Sequence, residues 1–162
     1  MIIRKAKKGD IEGVYLLFLE LFKSESLAAG KTAKFLKDLR SRRKDFQASA
    51  KKELLREVKT KNSVFLVAEE NKTLIGYGYG SIHRTKDPFF KPKNLAYLNA
   101  VVVNKKFRSK GVGYKLYKEL LKYFRKHECV AISLEVFANN SAVKLYEKWG
   151  YKISTYKMWK RL

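Results

Sequence analysis

Arg108-Ser109-Lys110-Gly111-Val112-Gly113 lies between an apolar run, Leu98 to Val103, and a helix-patterned segment, Gly113 to Lys126. A strand that ends in a short basic turn with glycines and then opens a helix is a means of holding phosphate. Glycine lets the backbone approach an anion, free N–H groups point outward, and the helix start carries positive potential. Arg108 and Lys110 add charge to that cradle. The spacing is not that of a P-loop, which needs four residues between its glycine and Gly-Lys-Ser/Thr. It is not the dinucleotide fingerprint Gly-x-Gly-x-x-Gly either. What stands here is Arg-x-x-Gly-x-Gly between strand and helix; a basic surface turn at a helix start is the plainer alternative.

Outward from the turn, strand and helix signals alternate. Leu95 to Val103 reads as the strand that feeds it, and the helix after it carries Leu116, Tyr117, Leu120, Leu121 and Phe124 on one face. Val130 to Val136 follows as a buried strand, Asn139 to Trp149 as a short helix closed by Gly150, and Tyr151 to Trp159 as a terminal strand. At the other end Ile2 to Arg4 is a first short strand and Gly9-Asp10 a turn with Asp10 as N-cap. Ile11, Val14, Tyr15, Phe18, Leu21 and Phe22 then recur at helical spacing, ending near Ser24.

Lys31 to Lys61 is charge-dense and reads as one long or two shorter helices with a thin apolar stripe. Val64 to Glu69 and Leu74 to Ile82, turning at Asn71-Lys72, form an antiparallel hairpin. Gly76, Gly78 and Gly80 share one face of its second strand, with Tyr77 and Tyr79 on the other; either a helix or a substrate lies against that bare face. Arg84 to Asn94, with Asp87-Pro88-Phe89-Phe90 and Pro92, is a loop whose aromatics line an acceptor site or anchor the loop itself. The order β-α-α-β-β-β-α-β-α-β predicts an α/β fold with a mixed sheet, in a single domain spanning 1–162.

A chain of 162 residues with 46% hydrophobic and 14% aromatic residues can bury a core and is not a disordered tail. Lys and Arg total 37 against 15 Asp and Glu, a net charge of +22. Such a field favours polyanions such as CoA, nucleic acid, ribosomes or an anionic membrane surface, and opposes a free polyamine substrate. The cluster Arg40, Arg42, Arg43, Lys44, Lys51 and Lys52 is a solvated face or a contact for RNA, a ribosome or an acidic partner. Met1-Ile2-Ile3 runs straight into Arg4, Lys5, Lys7 and Lys8, which is no secretory signal. The run Val14 to Phe22 is too short to span a bilayer and contains Glu20. The single Cys129 allows no internal disulfide, fits a reducing cytoplasm, and is expected to pack as a small apolar residue. No His, Cys or carboxylate cluster has metal-ligand spacing.

The turn, together with Asn139-Asn140-Ser141-Ala142-Val143-Lys144-Leu145-Tyr146-Glu147-Lys148-Trp149-Gly150-Tyr151, resembles the GNAT acetyltransferase superfamily. The second stretch matches that family's Asn-x-x-Ala-x-x-Leu-Tyr-x-x-x-Gly-Phe/Tyr pattern, and Ile3-Arg4-Lys5-Ala6 with Gly9-Asp10-Ile11 looks like its opening. The resemblance covers nearly the whole chain and is weakest from Ser24 to Asn62. It implies an acetyl-CoA-dependent N-acetyltransferase in which a primary amine attacks directly in a ternary complex. Arg108, Ser109, Lys110, Gly111, Val112 and Gly113 would bind the cofactor pyrophosphate. Val101, Val102 and Val103 would lie on a strand splayed from the next, so that pantetheine runs between them, and their backbone N–H groups would polarise the carbonyl.

Asn139 matches the residue that bonds pantetheine or nearby backbone, with Asn140 taking the role if the register slips. Tyr146 matches the tyrosine facing the CoA sulfur, a general acid for the thiolate, and also a cofactor contact. Many members carry Glu at the position of Asn99, which cannot take a proton. Glu135 is the candidate base, since Leu134-Glu135-Val136 is similar to a stretch of ribosomal-protein N-terminal acetyltransferases; His83 or a water chain is the reserve. A carboxylate buried between apolar neighbours would have a raised pKa. His127 reads as a helix-end surface residue. The acceptor is a protein N-terminus, a lysine or a small amine. The rival is a non-catalytic acyl-CoA-binding or RNA-associated module on the same fold.

Overall fold

Alternation and turn chemistry place the sheet. In the computed structural model, which describes residues 1–86 and 88–162, β1 is Ile2–Lys5, β2 is Ser63–Glu70, β3 is Thr73–Arg84, β4 is Asn94–Val103 and β5 is Cys129–Ser133. The helices are α1 (Ile11–Thr32), α2 (Lys34–Asp38), α3 (Phe46–Lys59), α4 (Val112–Lys126) and α5 (Ala142–Lys148). Among the described residues the sheet runs β1-β2-β3-β4-β5, antiparallel except for the β4–β5 pair, which is parallel across α4. Asn71 and Lys72, both with positive φ (50° and 61°), make the β2–β3 turn.

The chain forms two compact units, Met1–Leu21 with Lys44–Leu134 and Phe22–Arg43 with Glu135–Leu162. In the first, Ile11, Val14, Tyr15 and Leu17 pack with Leu54 of α3 and with Phe65, Val67, Tyr77 and Val102 on one face of the sheet. The opposite face of β3 is the glycine face, and α4 covers it. A Cβ on Gly78 would sit 3.1 Å from Leu120 Cδ1, and one on Gly76 would sit 3.3 Å from Leu116 Cδ1. The bare face is therefore a helix seat. In the second unit, Ala28, Ala29 and Leu36 are buried, and Arg40 bonds Glu25 at 2.6 Å while stacking 5.3 Å from the Phe22 ring.

Several boundaries differ from expectation. α1 runs on to Thr32 rather than stopping near Ser24, because Leu27-Ala28-Ala29 continues a helix-favouring stretch without a proline. The charge-dense segment resolves into two helices, α2 and α3. β5 ends at Ser133 and its Val130 is 62% exposed, so it is neither as long nor as buried as its apolar composition suggests; it is a sheet edge. The terminal strand over Tyr151 to Trp159 does not form. Alternating residues supply a face, but a strand also needs a ladder partner, and none pairs with it among the described residues; Tyr156 and Met158 are exposed. Of the loop residues, Phe89 and Phe90 are exposed, and Asp87 lies outside the described residues. Among the described residues no helix is long and apolar enough to cross a membrane.

Asp10 stands at the start of α1 as its sequence predicts, but its carboxylate turns backward. It accepts from the Lys7 N–H at 2.8 Å and from Arg4 Nη1 and Nη2 at 2.8 and 2.9 Å, while Arg4 also reaches Glu69. The Arg4 guanidinium holds the Asp10 carboxyl below its ordinary range, against the burial that pushes it up. A lowered folded-state pKa means full stabilisation above the unfolded value of about 3.9, lost as pH falls through the folded one. Asp10→Asn is expected to cost about 1–2 kcal/mol at neutral pH and to flatten the acid limb of stability measured by urea denaturation. An acid limb identical to that of the parent protein would count against this pairing.

Candidate functional site

The turn after β4 has the geometry of an anion cradle. A short 3-10 turn, Lys105–Phe107, is capped by Asn104, whose Oδ1 accepts the Lys106 N–H at 3.0 Å. Ser109 (φ 61°) and Gly111 (φ 76°) then take the left-handed conformation, and the Gly111 carbonyl accepts from the Lys115 N–H at 3.0 Å, starting α4. The first-turn N–H groups of α4 have no earlier carbonyl to bond, and no acidic residue stands in that turn to offset them. A Cβ on Gly111 would point into open space, and one on Gly113 would meet Val103 Cγ2 and Val101 Cγ1 at 3.5 and 3.6 Å. Arg108 is a structural clamp as well as a charge. Its Nε donates to the Val103 carbonyl at 2.9 Å and its Nη2 to Glu20 at 3.2 Å. Lys110 Nζ lies 5.3 Å from the Phe107 ring centroid.

Beside the turn, β4 presents a free backbone edge. Its pairing with β5 runs from Asn94 to Tyr97 and stops, so residues 98–103 have no β5 neighbour. The Asn104 N–H donates to the Ile75 carbonyl at 2.9 Å. Antiparallel alternation then turns the groups of Val102 toward β3 and those of Val101 and Val103 toward the opening. The bond from Arg108 to the Val103 carbonyl agrees with this. Val101 and Val103 thus expose the N–H groups that sequence reasoning assigned to all three valines; Val102 belongs to the core, 4% exposed.

Opposite the start of this free edge, β4 carries a bulge. Tyr79 pairs with Ala100 and Gly80 with Leu98, leaving Asn99 as the extra residue. Asn99 Oδ1 lies 3.0 Å from Ser81 Oγ, which lies 3.0 Å from His83 Nε2. The sequence marked His83 and Asn99 separately. Ser81 went unread, and its only signal was its place two residues before His83 on one strand face.

The remaining predicted residues lie in the second unit. Asn139 Nδ2 donates to Thr32 Oγ1 at 2.9 Å, and Asn140 Oδ1 accepts from the Ala142 N–H at 3.0 Å, so Asn140 makes a side-chain turn just ahead of α5. Tyr146 sits edge-on to Trp149 and Tyr151, with ring centroids 5.7 Å away in each case. Burial first, and Glu25 second, push its hydroxyl above the ordinary phenol range. Gly150 (φ 92°) closes α5 as expected, and the Tyr151 N–H bonds the Tyr146 carbonyl. Glu135 follows β5 outside any strand and is exposed, so the buried setting expected for it is not there.

Residues 32–151 match the model of the acetyltransferase (GNAT) family. The chain belongs to that family. No curated protein matches it by sequence. Among solved structures it is similar to a tetramutant of the BH1408 protein from Bacillus halodurans, 21% identical over all of both chains with a TM-score of 0.84. It is also similar to the aminoglycoside antibiotic 6'-N-acetyltransferase AAC(6')-IG from Acinetobacter haemolyticus, 14% identical over 100% of this chain and 98% of that one, TM-score 0.74. A CoA complex of the aminoglycoside N-acetyltransferase AAC(6')-Iy is 15% identical over 99% and 98% of the two chains, TM-score 0.68. These likenesses are of fold. As a GNAT acyltransferase the chain takes acetyl-CoA as donor, and its residues fit that group. The left-handed turn, the uncompensated first turn of α4 and the cations Arg108 and Lys110 suit a pyrophosphate, and the free edge at Val101 and Val103 suits an amide-bearing arm. Among the described residues no group of three His, Cys, Asp or Glu is placed to hold a metal ion.

Proposed function

We propose that residues 1–162 work as one N-acetyltransferase domain that moves an acetyl group to a protein amine, an N-terminus or a lysine, by direct attack in a ternary complex. The observation that carries the acceptor class is charge. Against a net +22, several carboxylates are already held by the chain's own cations. Asp10 and Glu69 are held by Arg4, Glu20 by Arg108, Glu12 by Lys51 and Glu25 by Arg40. An aminoglycoside, the acceptor class named for two of the similar structures, is itself a polycation and needs an acidic pocket. A single amine on a protein does not, and an acceptor carried on a ribosome or nucleic acid would gain from the field.

Direct attack is supported by Cys129, the one thiol, whose pKa burial pushes up, making it a poor acyl carrier. That lone thiol also suits a cytoplasmic setting. Tyr146 is the proposed donor to the departing sulfur; its phenol is protonated at neutral pH, and burial, by raising its pKa, favours hydrogen bonding to the thiolate over early release of the proton. Asn139 is the proposed contact for the cofactor arm, and Glu135 and His83 are the candidate bases. A thiolate, with a pKa near ~8.5, leaves with little help, so Tyr146→Phe is expected to lower kcat by about tenfold with CoA affinity nearly unchanged. Equal kcat in single-turnover assays would remove Tyr146 from this role. The acceptor is tested by thiol release from acetyl-CoA with peptide N-termini, a lysine peptide and kanamycin. Preference for kanamycin would overturn the assignment, and CoA binding without turnover on any amine would favour a non-catalytic acyl-CoA-binding protein.

A further inference from the structure

Ser81 and His83 stand two residues apart on one side of β3, and both side chains are drawn toward β4. Ser81 Oγ lies 3.0 Å from His83 Nε2 and 3.0 Å from Asn99 Oδ1. Asn99 is the bulge residue, two positions beyond Tyr97, where β4 parts from β5. Bulges re-aim a side chain, and this one turns the Asn99 amide across to Ser81 Oγ on β3. His83 and Asn99 are exposed, so solvent reaches the far end of the chain of contacts.

We propose that Ser81 and His83 are the proton-accepting pair of this enzyme, with Asn99 as the residue that positions Ser81. The inference rests on the acetyl-transfer reading. When an amine becomes an amide its nitrogen must give up a proton. Ser81 Oγ accepts that proton while its own hydroxyl hydrogen passes to His83 Nε2, and the imidazolium releases it to water. Ser81 ends as it began, and the proton alone has moved.

Two hydrogen arrangements fit the observed positions. In one, Ser81 donates to Asn99 Oδ1 and a protonated Nε2 donates to Ser81. In the other, Ser81 donates to a bare Nε2 and the Asn99 amide, turned about, donates to Oγ. The first, with Nδ1 protonated as well, is the pair after it has taken a proton, and the second is the pair ready to take one. Among the described residues, Tyr97 of β4 lies beside His83 at 6.5 Å between ring centroids, Arg84 follows it on β3, and Glu57 of α3 accepts from the hydroxyl of Tyr79, two residues before Ser81.

The test pairs kinetics with spectroscopy on the full chain. His83→Gln and Ser81→Ala are each expected to lower kcat/KM for a peptide amine by about 100-fold near neutral pH, and to leave only the acidic limb that the acceptor amine itself brings. Ser81→Thr, which keeps the hydroxyl, should restore the rate and the pair's own limb, and Asn99→Ala should lower kcat/KM with that limb retained. The chain has two histidines, so the side-chain nitrogen resonances of His83 and His127 are separable by nuclear magnetic resonance. Ser81→Ala should shift the His83 Nε2 signal and leave that of His127 in place. Parent-like kcat/KM and acidic limb in His83→Gln would overturn the pair while leaving the acetyltransferase reading intact. A His83 signal indifferent to Ser81→Ala would overturn it without any assay of turnover. A parent enzyme silent on every amine would overturn the acetyl-transfer reading, and the pair with it.

Discussion

Gly80→Val is expected to cost about 3 kcal/mol of folding stability and to lower the melting temperature by about 6–12 °C in a chain of this size. A Cβ at this position would lie 2.5 Å from Phe124 Cζ and 2.9 Å from the Tyr97 carbonyl oxygen. The first contact is with a ring tip, but the second is with backbone in the neighbouring strand and has nowhere to go. Valine adds two more carbons, and its preference for strands returns at most ~1 kcal/mol. α4 cannot withdraw freely either, because Leu116 and Leu120 are seated over Gly76 and Gly78 in the same row and are both fully buried. Gly78→Ala is the informative comparison. Its one tight contact is the flexible Leu120 Cδ1 at 3.1 Å, with Leu116 Cβ at an ordinary 3.5 Å, so the loss should be smaller. Urea denaturation of the two variants orders them. Equal stability of Gly80→Val and the parent would mean that α4 does not rest on the glycine face.

This row of contacts also shows how far the sequence could be read. Period-two glycines at 76, 78 and 80 announced a face without side chains, and Leu116, Leu120 and Phe124 announced a helical stripe one turn apart at each step. Neither pattern alone says that the two meet, because that depends on which side of the sheet the β4–α4–β5 crossover passes. The left-handed turn that opens α4 was legible for the opposite reason. Its glycine, its cations and the helix start lie within six residues, so local chemistry sets the geometry. The bulge at Asn99 was not legible. A bulge is a mismatch of register between two strands, and the apolar run Leu95 to Val103 looks continuous with or without it. The terminal segment failed in a related way, since the alternation over Tyr151 to Trp159 specifies two faces but no partner. Glu135 was judged by its apolar neighbours in sequence, yet β5 ends two residues earlier and the side chain is exposed.

Gly111→Asp should weaken CoA binding by about 30–150-fold, or roughly 2–3 kcal/mol. The Gly111 backbone is left-handed at φ 76°, and a side chain there would enter space that the fold leaves empty, directly over the first turn of α4. A carboxylate ~4 Å from a phosphate charge costs about 1 kcal/mol in water and about 4 kcal/mol near a protein surface, and an open turn lies between those limits. Two controls separate charge from shape. Gly111→Asn has the same size and tolerates the same φ, so it carries any steric or backbone penalty without the repulsion. Pantetheine lacks the pyrophosphate, and its affinity should not distinguish the Asp and Asn variants. Raising the salt concentration should narrow the gap between those variants for CoA, because screening acts on the charge alone. Calorimetric titration at two ionic strengths measures each quantity. If Gly111→Asp binds CoA as tightly as Gly111→Asn, the pyrophosphate is not held at this turn, and Arg108 and Lys110 are only a basic surface at a helix start.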